Sequence, residues 1–230
     1  MKKVILSMAV ALACVTGANA QKQAGGEKNL EVQFAPLSGS PVSISGIRLR
    51  IFNSETSAIR LGLFLGGSNS EVITQETDTE IDALELIDVD KSFDFSIRPG
   101  YEMHFAGTDR LSPYVGAELL IGMSNSTSEV QSQYLDDNDA DQVMTTITKS
   151  GTSTFGLNVV AGADFYFSDA IYLGAELGFG YASTNDKEVE TTYENPADGF
   201  KDSTTTLDNT KSSSWGPNYQ GTIRLGWLFN

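Results

Sequence analysis

The sequence predicts an all-β protein: an eight-stranded antiparallel up-and-down transmembrane β-barrel. Three observations carry that prediction. Hydrophobic residues recur with period two through most of the chain after residue 28. After the first connection, Pro36 to Pro41, which is short where a long one is expected, the connections between these alternating segments run short and long in turn, as in barrels that cross a membrane. No stretch after residue 20 approaches 18 consecutive apolar residues, so no spanning helix is expected.

Residues 1–20 read as a secretory signal peptide. Lys2 and Lys3 give a positive start, Val4 to Val15 is apolar, and Ala18-Asn19-Ala20 is a small-x-small cleavage site. The alternative is a lipid-modified Cys14, but Leu12 stands one position too close to that cysteine. After cleavage at Ala20 the chain holds no cysteine. Residues 21–28 read as a flexible leader, and residues 29–230 as the barrel.

The strands follow in order. Residues 29–35 place Leu30, Val32 and Phe34 on one face. Residues 42–52 place Ile47, Leu49 and Ile51 there, with a phase slip at Ser45-Gly46 that a β-bulge would produce. Residues 58–66 contribute Ile59, Leu61, Leu63 and Leu65. Residues 92–105 contribute Phe93, Phe95, Ile97, Tyr101, Met103 and Phe105. Pro99 sits in that run without a ladder donor, which predicts a local kink or bulge. Residues 113–123 add Val115, Leu119, Ile121 and Met123. Residues 153–168 add Phe155, Leu157, Val159, Phe165 and Phe167. Residues 170–182 add Ile171, Leu173, Leu177, Phe179 and Tyr181. Residues 218–229 close the series with Tyr219, Ile223, Leu225, Trp227 and Phe229. Long connections are expected at 67–91, 124–152 and 183–214. Phe64 and Leu120 break the pattern by falling on the polar face.

Alternation alone does not say which face is outside. An eight-stranded barrel has an interior just wide enough for side chains to fill. It has no room for so many Phe, Leu, Ile, Tyr and Trp residues, so the apolar face points to lipid rather than into a lipocalin-like soluble barrel. The opposite face is rich in glycine and carries Arg, Asp and Glu but no Lys. Enclosed ion pairs favour the planar arginine fork. The expected lumen network is Glu31, Arg48, Arg50, Arg60, Asp94, Arg98, Glu102, Glu118, Asp164, Glu176 and Arg224, with Tyr114, Tyr166 and Tyr172 filling volume. Unpaired, each charge would be costly. Aromatic residues fall at both ends of the strands and predict two membrane girdles. Phe93, Phe95, Phe155, Phe179, Tyr181 and Tyr219 lie toward the long connections. Tyr101, Phe105, Phe165, Phe167, Trp227 and Phe229 lie toward the short ones.

The closing segment Tyr219-Gln220-Gly221-Thr222-Ile223-Arg224-Leu225-Gly226-Trp227-Leu228-Phe229 resembles the last strand of small eight-stranded outer-membrane barrels of the OmpX and OmpA-transmembrane-domain type. The resemblance covers nearly all of residues 29–230 and departs from the pattern by adding Asn230 after Phe229. It implies residence in the outer membrane of a Gram-negative bacterium after export through the periplasm. It also implies partners in outer-membrane lipids, lipopolysaccharide and the barrel-assembly machinery, which reads an aromatic-ended last strand. No functional residue is carried over from that family.

The chemistry of the residues narrows the function. With 230 residues, a formal net charge of −15 and acids in excess, nucleic acid is not an expected partner. One cysteine and one histidine exclude a disulfide framework and multi-histidine metal sites, and no cofactor is expected. Histidine-based acyl chemistry needs a base beside its nucleophile. The single candidate, His104, shares a face with Glu102 and reads as a hydrogen-bonded filler. The long connections are acidic: Ser68 to Asp90 holds Glu71, Glu76, Asp78, Glu80, Asp82, Glu85, Asp88 and Asp90 with no base. Asp137, Asp139 and Asp141 alternate like the start of a calcium loop, but Gln142 and Thr148 stand where its glycine and bidentate glutamate belong. The function expected is a structural or surface-interaction role through acidic extracellular loops, with an unidentified extracellular ligand and a lumen closed by ion pairs. A small gated pore is the alternative, and a lipid-modifying enzyme the third reading.

Overall fold

The computed structural model describes residues 23–34, 44–75, 85–135, 141–195, 199–206 and 210–229. Its strands are β1 (Lys28–Phe34), β2 (Ile44–Ser54), β3 (Ser57–Gln75), β4 (Glu85–His104), β5 (Leu111–Leu135), β6 (Asp141–Tyr166), β7 (Ile171–Asp186), β8 (Val189–Asn195), β9 (Phe200–Thr206) and β10 (Lys211–Phe229). Neighbouring strands pair antiparallel from β1 to β7. β7 pairs with β10, and β10 closes on β1 through Lys28↔Phe229 to Phe34↔Ile223. Eight strands therefore form a ring with no free edge at its level, so the backbone donors and acceptors there are satisfied by neighbouring strands, as hydrocarbon surroundings require.

Alternation sets the two faces. Leu30, Ile47, Ile59, Leu61, Ile97, Ile121, Leu157, Leu173, Leu177, Ile223 and Leu225 point outward, all but half-buried Ile97 being exposed. Asn29, Glu31, Arg48, Arg50, Arg60, Glu102, Glu118, Asp164 and Arg224 alternate with them and are buried. Near the short turns Phe52, Ala58, Tyr166, Tyr172 and Leu228 form a small buried apolar cluster. The phase slip in β2 is a bulge: Gln33 pairs with Gly46 but Phe34 with Ile44. Gly46 takes φ 149°, and a Cβ there would lie 2.9 Å from the Leu63 carbonyl oxygen.

Three expectations are corrected. The kink or bulge expected at Pro99 is absent. Leu61↔Pro99 pairs in unbroken register with β3, and only the β5 side skips Arg98 and Pro99 before resuming at Gly100↔Glu118. Proline's missing N–H thus costs bonds on one side alone. The long connections are mostly strand. The β3–β4 ladder runs to Gln75↔Glu85, the β5–β6 ladder to Leu135↔Asp141, and β8–β9 is a hairpin added to the same edge of β6. About ten residues suffice to span a bilayer, so the 25 residues of β5 and 26 of β6 carry the wall well past it. These extensions are Ser/Thr-rich and wet on both faces, so they show no apolar period. The leader expected at 21–28 is ordered from Gln23: Gly26 N donates to the Phe52 oxygen, and Phe52 N donates back to the Glu27 oxygen.

Candidate functional site

The inner faces of the eight ring strands bring together one buried cluster of charges. β2 contributes Arg48 and Arg50, β3 Arg60 and β10 Arg224. Against them stand Glu31 from β1, Glu102 from β4, Glu118 from β5, Asp164 from β6 and Glu176 from β7. Every strand of the ring supplies at least one member. Alternation places each on the inner face, and the ladder register brings them to one level.

Arg50 sits at the centre. It reaches Glu31 at 2.8 Å, Glu102 at 3.0 Å and Asp164 at 2.8 Å. Arg224 joins Asp164 at 2.7 Å and Glu31 at 3.2 Å. Arg60 joins Glu102 and Glu118, both at 2.8 Å. Arg48 and Arg60 each grip both oxygens of Glu176, at 3.0–3.1 Å and 2.9 Å. Two forks on one carboxylate use the bidentate geometry that lysine lacks.

Polar neighbours complete the cluster. Tyr114 donates to Glu176, and Tyr172 donates to Glu31. The carboxamide oxygens of Asn29 and Gln33 accept from Arg50 and Arg48, and Asn158 Nδ2 donates to Glu118. The Arg50 guanidinium lies 5.1 Å from the Tyr172 ring centre, and that of Arg224 lies 5.1 Å from Tyr114, a favourable cation–aromatic spacing. Tyr114 and Tyr172 are thus carboxylate partners as well as the volume fillers the sequence suggests. Asn29, Gln33 and Asn158 were legible as inward positions of their strands, but their amides carry no charge to mark them.

One expected member stands apart. Asp94 is half-buried and makes no ion pair among the described residues, which corrects its assignment to the network. It lies higher in the wall, opposite Gly66 and Ser124, where no arginine of the cluster reaches. Arg98 sits beside Gly62, whose missing side chain admits it: a Cβ there would lie 3.2 Å from Arg98 Cβ.

Below the cluster, Gln23 is only 2% exposed. Its Nε2 donates to Ser112 Oγ at 2.8 Å and to the Glu55 carbonyl at 3.3 Å, and lies 3.2 Å from His104 Nδ1. His104 Nδ1 also meets Ser112 Oγ at 2.9 Å, while Nε2 is 3.4 Å from Glu102. Serine, histidine and glutamate here follow a nucleophile–base–orienter order. Ser112 is buried, and its Oγ already accepts from the Gln23 amide.

The girdle positions are outward-facing. Phe93, Tyr101, Phe105, Phe155, Phe179, Tyr181, Trp227 and Phe229 are exposed, and Phe95, Phe165 and Phe167 are half-buried. The Tyr219 side chain lies outside the described residues. Trp215, which the sequence placed next to a loop, belongs with them: it pairs with Tyr181 in the β7–β10 ladder and lies edge-on to Phe179 at 6.3 Å. The Gly-Pro that follows it reads as a turn and hid this stretch of strand. Of the acidic triplet, Asp137 and Asp139 lie outside the described residues, and Asp141 opens β6.

The chain is similar to known barrels. The N-terminal β-barrel domain of Pseudomonas aeruginosa OprF aligns over 90% of this chain and 100% of its own at 16% identity, with a TM-score of 0.35. Acinetobacter baumannii CarO aligns over 91% of this chain and 99% of its own at 13% identity, with a TM-score of 0.38. No curated protein sequence matches the chain. The profile of the OmpA-OmpF-like porin family matches residues 60–223, most of the ring. The chain belongs to the OmpA-OmpF-like porin family and is a porin-type outer-membrane β-barrel.

Proposed function

We propose that this barrel is a non-enzymatic scaffold of a Gram-negative outer membrane, reached by export through the periplasm and assembly on its C-terminal strand. Its lumen is closed by the ion-pair cluster, and its acidic outer wall serves surface interaction. The observation that carries this reading is the cluster's membership: all eight ring strands meet in one set of buried charges. A set of that kind fills the lumen where a conducting path would have to pass. It also fixes the register of every strand at once. The outer wall carries Glu71, Glu85, Asp88, Asp90, Glu129, Glu190, Glu194 and Asp202 against few lysines, which suits a solvated face beside anionic lipopolysaccharide.

The test is a planar-bilayer recording on pure protein. Only a small leak is expected; stable, large single-channel steps would overturn the closed-lumen reading. The family's porin character favours a gated pore as the second reading, and the same trace decides between them.

A further inference from the structure

We propose a carbohydrate-binding site on the inner face of the projecting wall, taking one neutral hexose unit of a surface glycan. A cavity of about 290 Å³ opens there, lined by Ser124, Ser126, Ser150, Thr152 and Asp186 together with Gly151, Lys187 and Val189. Ser124, Ser126, Ser150, Thr152 and Asp186 all hold even, inward register positions, so four hydroxyls and one carboxylate share a face.

The backbone explains why a hollow forms here. β7 and β8 follow the same edge of β6 in the same direction. Thr152 pairs with Asp186, whereas Lys149 pairs with Glu190, so one extra residue is accommodated at Lys187 and Glu188. This is a bulge, a device found beside binding sites because it re-aims side chains and opens the pleat. The bulge is pinned. Lys187 N donates to the Gly151 oxygen at 2.8 Å, and Lys187 Nζ reaches Asn125 Oδ1 at 3.3 Å. The lysine stem crosses Gly151, where a Cβ would lie 3.2 Å from Lys187 Cδ and 2.8 Å from Asn125 Oδ1. Asp186 is held through its backbone, its N–H donating to the Thr210 oxygen. Its half-buried carboxylate has no hydrogen bond or ion pair among the described residues.

Ser126 and Ser150 share one hydrogen bond at 3.0 Å, which leaves three of the four hydroxyl protons and every hydroxyl oxygen to a ligand; with the acceptor carboxylate, that set matches vicinal sugar hydroxyls. The same carboxylate and the acidic wall disfavour an anionic ligand. The cavity is at the small end of ligand sites and suits one ring rather than an extended chain.

The test is saturation-transfer NMR on the full barrel in a zwitterionic, sugar-free detergent. Methyl glucoside, methyl galactoside and methyl mannoside are the probes, with glycine as the zwitterionic control. At least one hexoside is expected to show transfer, with a dissociation constant of about 1–10 mM. Asp186→Asn should weaken it about tenfold through loss of a charge-assisted acceptor. Thr152→Val, which keeps shape and strand preference, should weaken it several-fold. Heat-modifiable gel mobility confirms that both variants still close the ring. No transfer from any hexoside, undiminished binding in both folded variants, or displacement of the sugar by glycine would each overturn the proposal.

Discussion

Gly226 and Tyr172 are ladder partners across β10 and β7, and the tyrosine ring lies in the space a Cβ on Gly226 would occupy. Laid over the glycine, Tyr172 places its hydroxyl on Glu31 and its ring beside Arg50. Gly162 does the same for Tyr114, and Gly174 for Arg224. Lumen glycines therefore stand opposite Tyr172, Tyr114 and Arg224, which makes room in a narrow barrel for three of its largest inward groups. Gly226→Ala should push Tyr172 off Glu31 and destabilise the barrel by about 1–3 kcal/mol, the usual cost of overpacking. Urea titration of the heat-modifiable band measures it; an unchanged midpoint would refute the packing argument.

Among the described residues, Arg50 alone of the arginines joins Glu31, Glu102 and Asp164 together. Arg50→Met removes the charge and keeps the stem. It leaves three carboxylates short of a partner in a dry space, so the loss should be about 3–5 kcal/mol, as for other broken buried pairs. Adding Glu102→Gln to Arg50→Met should recover part of that loss, because one stranded charge goes with its partner. If the double variant is no more stable than the single one in the same titration, the pairing is not what holds the strands.

Much of the ring was legible in sequence because lipid and lumen impose opposite chemistry on alternate residues. Leu30, Glu31 and Val32 already give the rule, and the bulge at Gly46 was visible as a slip in it. The projecting wall was not legible. Ser124 to Ser132 alternates nothing, since water wets both faces, and its strands are held by backbone ladders and polar pairs such as Ser126–Ser150. Asp94 was misplaced because alternation gives a residue's face but not its height along the barrel. Gln23 was missed because an uncharged residue in a Gly-rich leader carries no period.

That leader supplies a further prediction. Gln23 bridges the β2–β3 turn, the end of β4 and the start of β5 through Glu55, His104 and Ser112. Gln23→Ala removes the bridge and leaves Ser112 and His104 with one partner fewer, at a cost of about 1 kcal/mol. His104 is the single histidine of the chain, so its ring protons report the change without assignment. Their NMR shifts should move, and Gly26 N–H, bonded to the Phe52 oxygen, should exchange faster with solvent. Unmoved histidine signals would mean that Gln23 does not bridge these elements.

The orientation of the two faces gives the last prediction. Leu177 is 71% exposed and directly follows Glu176 of the buried cluster, so it stands on the outside at the cluster's level. There Leu177→Arg should cost about 2–4 kcal/mol in a bilayer, the penalty of a cation near the midplane of a barrel wall. The same substitution at Ser203, on the free edge of the projecting hairpin, should cost nearly nothing, because that strand meets water. Spin labels at Leu61, Leu177 and Leu225 should be quenched by oxygen dissolved in lipid and shielded from water-borne nickel complexes. If Leu177→Arg proves as harmless as the change at Ser203, or if nickel reaches those three labels, the outward face does not meet hydrocarbon and the buried charges lose their reason to face inward.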